Sequence, residues 1–338
     1  MSNKNRVIWA DQVKAFAIWT MVLGHVGLQN QNIMDLIFIF HVPVFFIISG
    51  YFDKGIDISK AVVVKNFKSL LIPYFFFSIM AFSYCWISPY LHPELYYNGT
   101  LFQTFLKAFV GLFLMDDISR SYAFLPLGPV WFLVSLFWTR LLFSVCVTVW
   151  RSKRWVIIFI IAACILSVYY KRPSFFSLDS ACMALPLYIC GYCIKKFKVL
   201  ERLQGKFLCI LISIIGLLYT YFIGLLNGRV NMDATSFGSS AIMFYINAIV
   251  ASISLIIFAK TINIRSTIIG KIGASTITIL GTHMAVIIVF KVLGSILFAY
   301  NPSSLPLWYA LTTSVAALTI GYIIHGFLSK RFPAAIGH

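Results

Sequence analysis

The chain has 338 residues, of which 60% are apolar and only 11% charged, and its mean hydropathy is +0.90. A soluble domain carries about 25% charged residues, so this composition excludes one and indicates a polytopic membrane protein. The net charge of +17 does not point to nucleic acid, because the 27 Lys and Arg residues fall in short clusters between apolar runs, as topology signals do.

Taken in order, the hydropathy pattern predicts ten spans: 7–28, 33–52, 70–91, 129–149, 155–170, 178–194, 207–226, 239–259, 273–293 and 305–328. With the N-terminus cytoplasmic, the connecting segments on that side hold 19 basic residues and those on the outer side hold 5. The expected fold is therefore an all-α polytopic membrane protein of about ten transmembrane helices. Both termini are cytoplasmic, and the chain is a single integral-membrane domain, 1–338, with no appended soluble domain. The apolar segment 101–115 is short for a span and reads as a re-entrant or interfacial piece of an outer loop, 92–128. That loop carries Tyr96, Tyr97, Asp116 and Asp117, residue types suited to sugar stacking and hydroxyl recognition. Seven cysteines lie in or beside apolar runs; the Cys190–Cys193 pair has no second pair and reads as packing.

The first span is the unusual one. It carries Asp11, Lys14 and His25. A charged side chain at membrane depth costs at least ~2.5–3.5 kcal/mol and by default marks a functional site. Asp11 and Lys14 are an i,i+3 pair, within reach of an ion pair. Lys14 and His25 are eleven residues apart, which at 100° per residue returns to nearly the same face about 16 Å further along. The stripe must face a polar cavity within a bundle. Span two contributes His41, followed by Pro43, at the depth expected for His25, and Ser49 nearer the inner end. Span four contributes Arg140 and span nine His283. His92, His325 and His338 read as ordinary interfacial or terminal residues.

The chemistry open to this set is narrow. No phosphate-cradling glycine loop, HExxH or GxSxG motif is present, and Asp11 is the one carboxylate deep in a predicted span. Two-carboxylate hydrolysis and carboxylate-bridged metal sites are disfavoured, and no metal is expected. What remains is imidazole, suited to taking a proton from a hydroxyl at neutral pH. Transfer of an acyl group from a thioester to an alcohol needs little more than that base, positioning of two substrates and an oxyanion donor. The competing class is a multispan transporter or flippase for a glycan or lipid, with Asp, Lys and His as a proton relay. Transporters often show two related halves, and no such repetition is present here.

Five segments, in order along nearly the whole chain, resemble membrane acyltransferase family 3, and within it the fucose 4-O-acetylase-like branch of sugar O-acetylases. They are D-x-x-K followed by ten residues and H (Asp11, Lys14, His25), FHVPVFFIISGYF (40–52), LLIPYFFF (70–77), GPVWFLVSLFW (128–138) and IGASTITILGTH (272–283). The resemblance implies an acyl-CoA donor, most simply acetyl-CoA, at the cytoplasmic face and a glycan or sugar-lipid acceptor at the outer face. It implies His25 as catalytic base with Lys14 and Asp11 as its partner positions, in the cytoplasmic membrane. Lys14 stands where the wider family commonly has arginine, so a point charge replaces a bidentate fork. His41, Ser49, Arg140, His283 and Trp131 are the expected substrate-binding residues, lining a through-membrane slot in which Arg140 and cytoplasmic basic residues hold the CoA phosphates. Without a second enzyme domain, direct delivery of the acyl group to the acceptor is the simpler scheme.

Overall fold

The computed structural model describes residues 7–91, 128–150, 175–302 and 304–338. The predicted span 155–170 and nearly all of the outer loop, with segment 101–115, Tyr96, Tyr97, Asp116 and Asp117, lie outside the described residues. The described residues fold as helices joined by turns, with two isolated β-bridges and no strand. The protein is an all-α polytopic membrane protein: seven helices among the described residues are long and apolar enough to cross a bilayer.

The helices are α1 (Ile8–Val26), α2 (Gln31–Phe40), α3 (Pro43–Tyr51), α4 (Lys60–Asn66), α5 (Ile72–Leu91), α6 (Trp131–Trp150) and α7 (Leu178–Lys196). They continue as α8 (Val199–Arg202), α9 (Lys206–Leu226), α10 (Ala241–Ile262), α11 (Thr267–Ala274), α12 (Thr276–Phe298) and α13 (Leu307–Arg331). A π-helical turn, Phe67–Leu71, joins α4 to α5.

The helix that carries Asp11, Lys14 and His25 sits at the centre. Thirteen of the 19 residues of α1 are buried, and it packs against α2, α3, α10, α11, α12 and α13. Gly27 ends it in the left-handed region at φ 90°, two residues after His25. The Gly27 carbonyl then accepts from Leu305 N–H at 2.8 Å, which ties this end of α1 to the start of α13. The outer surface is apolar. Phe207, Phe222 and Leu226 on α9, Ile296 on α12 and Ile323 on α13 are each at least 64% exposed, a surface that hydrocarbon covers and water would not tolerate over such an extent.

Two predicted single spans are broken helices. The span 33–52 is α2 and α3 separated at His41 and Val42, with Pro43 at the first position of α3, where its missing N–H and fixed φ do no harm. The span 273–293 begins earlier, at Thr267, and is interrupted at Ser275 before α12 starts. At His41 and Val42 the backbone dihedrals stay helical and Pro43 interrupts the hydrogen-bond ladder, and freed backbone groups at membrane depth are tolerated inside protein or against a cavity. Both breaks border the cavities described below.

In lipid, helices associate through close packing rather than hydrophobic burial, so small residues mark the tight crossings. The α3–α7 crossing is reciprocal. A Cβ on Gly50 would overlap the Tyr188 carbonyl, and one on Gly191 would overlap the Ile47 carbonyl. That crossing sets Ser49 and Tyr188 beside each other on one cavity wall.

Candidate active site

The α1 stripe predicted from helical winding faces two cavities. Ile18, Met21 and His25 line one, of about 300 Å³. Lys14 lines the other, of about 430 Å³. Phe45, Phe132, Leu133, Thr276 and Ile277 belong to the walls of both and form the partition between them. Lys14 and His25 therefore line two adjoining cavities that share a stretch of wall. The partition is drawn from three separate elements: Phe45 from the start of α3, Phe132 and Leu133 from α6, and Thr276 and Ile277 from the start of α12.

In the Lys14 cavity, Lys14 Nζ lies 2.8 Å from Asp11 Oδ1, the predicted i,i+3 pair. Asp11 is buried and the Lys14 side chain is 29% exposed, so the carboxylate anchors an ammonium that still reaches the cavity. Arg140 donates to the Ser49 hydroxyl through Nη2 at 3.0 Å and Nε at 3.3 Å, and through Nη1 to Asn66 Oδ1 at 3.3 Å. Those bonds fix the plane of the guanidinium while leaving it half-buried on the cavity wall. Tyr188 donates to Asp53 Oδ2 at 2.6 Å, and Asp53 Oδ1 accepts from Gly55 N–H at 2.7 Å. Lys54 and Lys65 complete a basic rim.

In the His25 cavity, His25 is half-buried and meets the open volume together with His41 and Trp131. Phe38 contacts both rings, its centroid 6.1 Å from His25 and 4.8 Å from His41. His41 Nδ1–H donates to the Ile37 carbonyl at 2.8 Å. A carbonyl only accepts, so Nδ1 carries the hydrogen and Nε2 holds a lone pair in the neutral ring.

His283 occupies a different place from the one expected. It lines neither cavity. It is fully buried behind His25, ring centroids 5.5 Å apart, with Nδ1–H donating to the Ile279 carbonyl at 2.9 Å. Its Nε2 has no hydrogen-bond partner among the described residues. His325, expected at an interface, is half-buried on α13 with Nδ1 3.0 Å from the Thr278 hydroxyl of α12.

Of the sequence candidates, the fold brings Lys14, Ser49 and Arg140 to one cavity and His25, His41 and Trp131 to the other. Asn66, the Asp53–Tyr188 pair and the partition residues were not singled out by sequence. Asn66 follows an unbroken Val-Val-Val-Lys run and gives no motif, whereas the positive charge of Arg229 was counted only as a topology signal. Arg229 lines the His25 cavity. Cys190 and Cys193 are free thiols on α7. Among the described residues no three of His, Cys, Asp and Glu gather as a metal-binding group.

A family model described as an acyltransferase domain matches residues 7–326. No curated protein and no solved structure matches the chain.

Proposed function

Because the chain belongs to membrane acyltransferase family 3, we propose that it transfers an acetyl group from acetyl-CoA to a hydroxyl of a sugar or glycan acceptor, with His25 as the general base. The observation that carries this reading is the division of the α1 stripe: Lys14 opens on one cavity and His25 on the other, across a shared wall.

The Lys14 cavity suits the donor. Lys54, Lys65 and Arg140 offer cations to the CoA phosphates, and Arg140 presents a pre-oriented fork for one of them. Lys54 and Lys65 belong to segments assigned to the cytoplasm by the basic-residue bias, where CoA is available. The thin pantetheine arm runs from there to the partition and brings the thioester carbonyl toward His25, about 16 Å along α1 from Lys14. The acceptor hydroxyl enters the His25 cavity. His25 removes its proton, the alkoxide oxygen attacks the thioester carbon, and Thr276 on the shared wall offers a hydroxyl to the oxyanion. The C–S bond then breaks, CoA leaves, and the imidazolium returns its proton to the thiolate. The acetyl group passes directly, in the cytoplasmic membrane, to the sugar hydroxyl, as in the sugar O-acetylase branch.

The test is His25→Ala in membranes given labelled acetyl-CoA and a glycan extract. Transfer is expected to fall by about 10²–10⁴-fold, with acetyl-CoA binding retained. Full activity in the variant, or loss of donor binding together with activity, removes His25 from the role of base.

A further inference from the structure

The connection between α9 and α10, residues 227–240, is built as a fixed turn. The buried Asn227 amide donates to the Phe237 carbonyl at 2.7 Å, its Oδ1 accepts from Ser240 N–H at 2.9 Å, and its carbonyl accepts from Ser239 N–H at 2.8 Å. Asn231 and Ser236 exchange two backbone hydrogen bonds of 2.9 and 2.8 Å. Asn231 Oδ1 accepts from Asp233 N–H at 3.1 Å, and the Ser180 hydroxyl of α7 donates to the Met232 carbonyl at 2.9 Å.

This turn delivers Arg229, Asn231 and Asp233 into the wall of the His25 cavity. Arg229 is itself held in place: its guanidinium carbon lies 4.0 Å from the centre of the Phe38 ring in the cavity wall, and Nη1 lies 3.5 Å from Asp35 Oδ1 outside it. Arg229 and Asp233, in a wall that also includes the aromatic rings of Phe38, Phe132 and Trp131, form a polar site that the donor scheme leaves unused.

Resting on the acyl-transfer reading above, we infer that the 227–240 turn is the acceptor subsite and that it selects a neutral, unphosphorylated sugar residue. The carboxylate of Asp233 accepts from sugar hydroxyls, the guanidinium of Arg229 donates to them, and the aromatic wall packs against the ring. Among the described residues the charged groups of the lining are one cation, Arg229, and one carboxylate, Asp233, a pair that offers no net attraction to an anionic sugar. At about 300 Å³ the cavity is at the small end of ligand sites and admits one sugar ring, with the hydroxyl nearest His25 becoming the ester oxygen.

The experiment uses the full chain purified in detergent, with labelled acetyl-CoA and, as acceptors, the methyl glycosides of glucose, galactose, mannose and fucose beside methyl glucuronide. Wild-type protein is expected to label at least one neutral glycoside with a kcat/KM about tenfold or more above that for the glucuronide. Asp233→Asn and Arg229→Gln should each raise the KM for that glycoside by about tenfold, the loss of a charge-assisted hydrogen bond, with the KM for acetyl-CoA unchanged. The unchanged donor KM doubles as the check that each variant is folded. Asp233→Lys, which leaves two cations in the wall, should shift preference toward the glucuronide, an outcome that a merely structural role does not produce. Unaltered glycoside KM in these variants, a wild-type preference for the glucuronide, or no label on any neutral glycoside overturns the subsite while donor binding persists. A protein that neither binds nor consumes acetyl-CoA removes the acyl-transfer reading, and the subsite with it.

Discussion

His283 stands directly behind His25, ring centroids 5.5 Å apart, with its Nδ1 hydrogen committed to the Ile279 carbonyl and its Nε2 lone pair buried without a partner among the described residues. A buried acceptor left unpaired is costly, and such a group is retained where something needs it. The His25 ring, its centroid 5.5 Å away, is a group able to use it, and a hydrogen bond between the two would fix the tautomer and orientation of His25. We expect His283→Leu to lower kcat for acetyl transfer by about tenfold, the worth of one hydrogen bond, with both KM values little changed. His283→Gln, which can still offer an acceptor, should recover part of the loss. Equal activity in wild type and His283→Leu would detach the buried ring from the reaction.

Arg140 is the residue on which donor affinity should depend. Its Nε and Nη2 both point to the Ser49 hydroxyl, which locks the fork in plane. Arg140→Lys keeps the charge and loses the fork, so the KM for acetyl-CoA should rise by about tenfold while kcat moves little. Ser49→Ala should give a smaller change in the same direction. Initial rates against acetyl-CoA concentration separate this from a role in chemistry, which would lower kcat instead.

The partition should set which acyl chains pass. Phe45 and Phe132 meet within it, ring centroids 5.7 Å apart. Phe132→Ala opens space on both sides of the wall. A pocket discriminates one methylene by about 1–3 kcal/mol, so the ratio of kcat/KM for butyryl-CoA over acetyl-CoA should rise by about tenfold or more in this variant. A ratio that stays put would show that chain length is read elsewhere.

Stability should be most sensitive at the α3–α7 crossing. Gly50→Ala and Gly191→Ala each drive a methyl group into a backbone carbonyl of the partner helix, which neither helix can avoid without separating. Overpacking of this kind costs about 1–3 kcal/mol, and here it falls on backbone rather than on a flexible side chain. Both variants should lower the melting temperature in detergent and, because Ser49 and Tyr188 ride on this crossing, weaken acetyl-CoA binding as well. Gly270→Ala is the control: open space surrounds that position, and no shift is expected.

The elements of the site differ in how far the sequence alone reveals them. The Asp11–Lys14 pair and the shared face of Lys14 and His25 were legible, because both follow from winding within one helix. His41 beside the His25 cavity was legible through Pro43, which forces a break in the second span. The burial of His283 behind His25 was not, since residues 25 and 283 are joined by no local period. The acceptor was sought among the aromatic and acidic residues of loop 92–128, which lie outside the described residues. The 227–240 turn passed unnoticed because Arg229 and Asp233 carry no motif, and their meaning comes from Phe38 and Asp35 on another helix.

Hydropathy, charge bias and the 100° turn of the α-helix act on neighbours in the chain. They suffice to establish an all-helical membrane protein and to line up one polar stripe on its first helix. Which groups complete that stripe was decided by packing. Arg140 meets Ser49 across 91 positions, and Tyr188 meets Asp53 across 135, the latter beside the close approach of α3 and α7 at Gly50 and Gly191. The split of the α1 face into two chambers is likewise a tertiary fact, because the wall between them is assembled from three helices and exists in none of them alone.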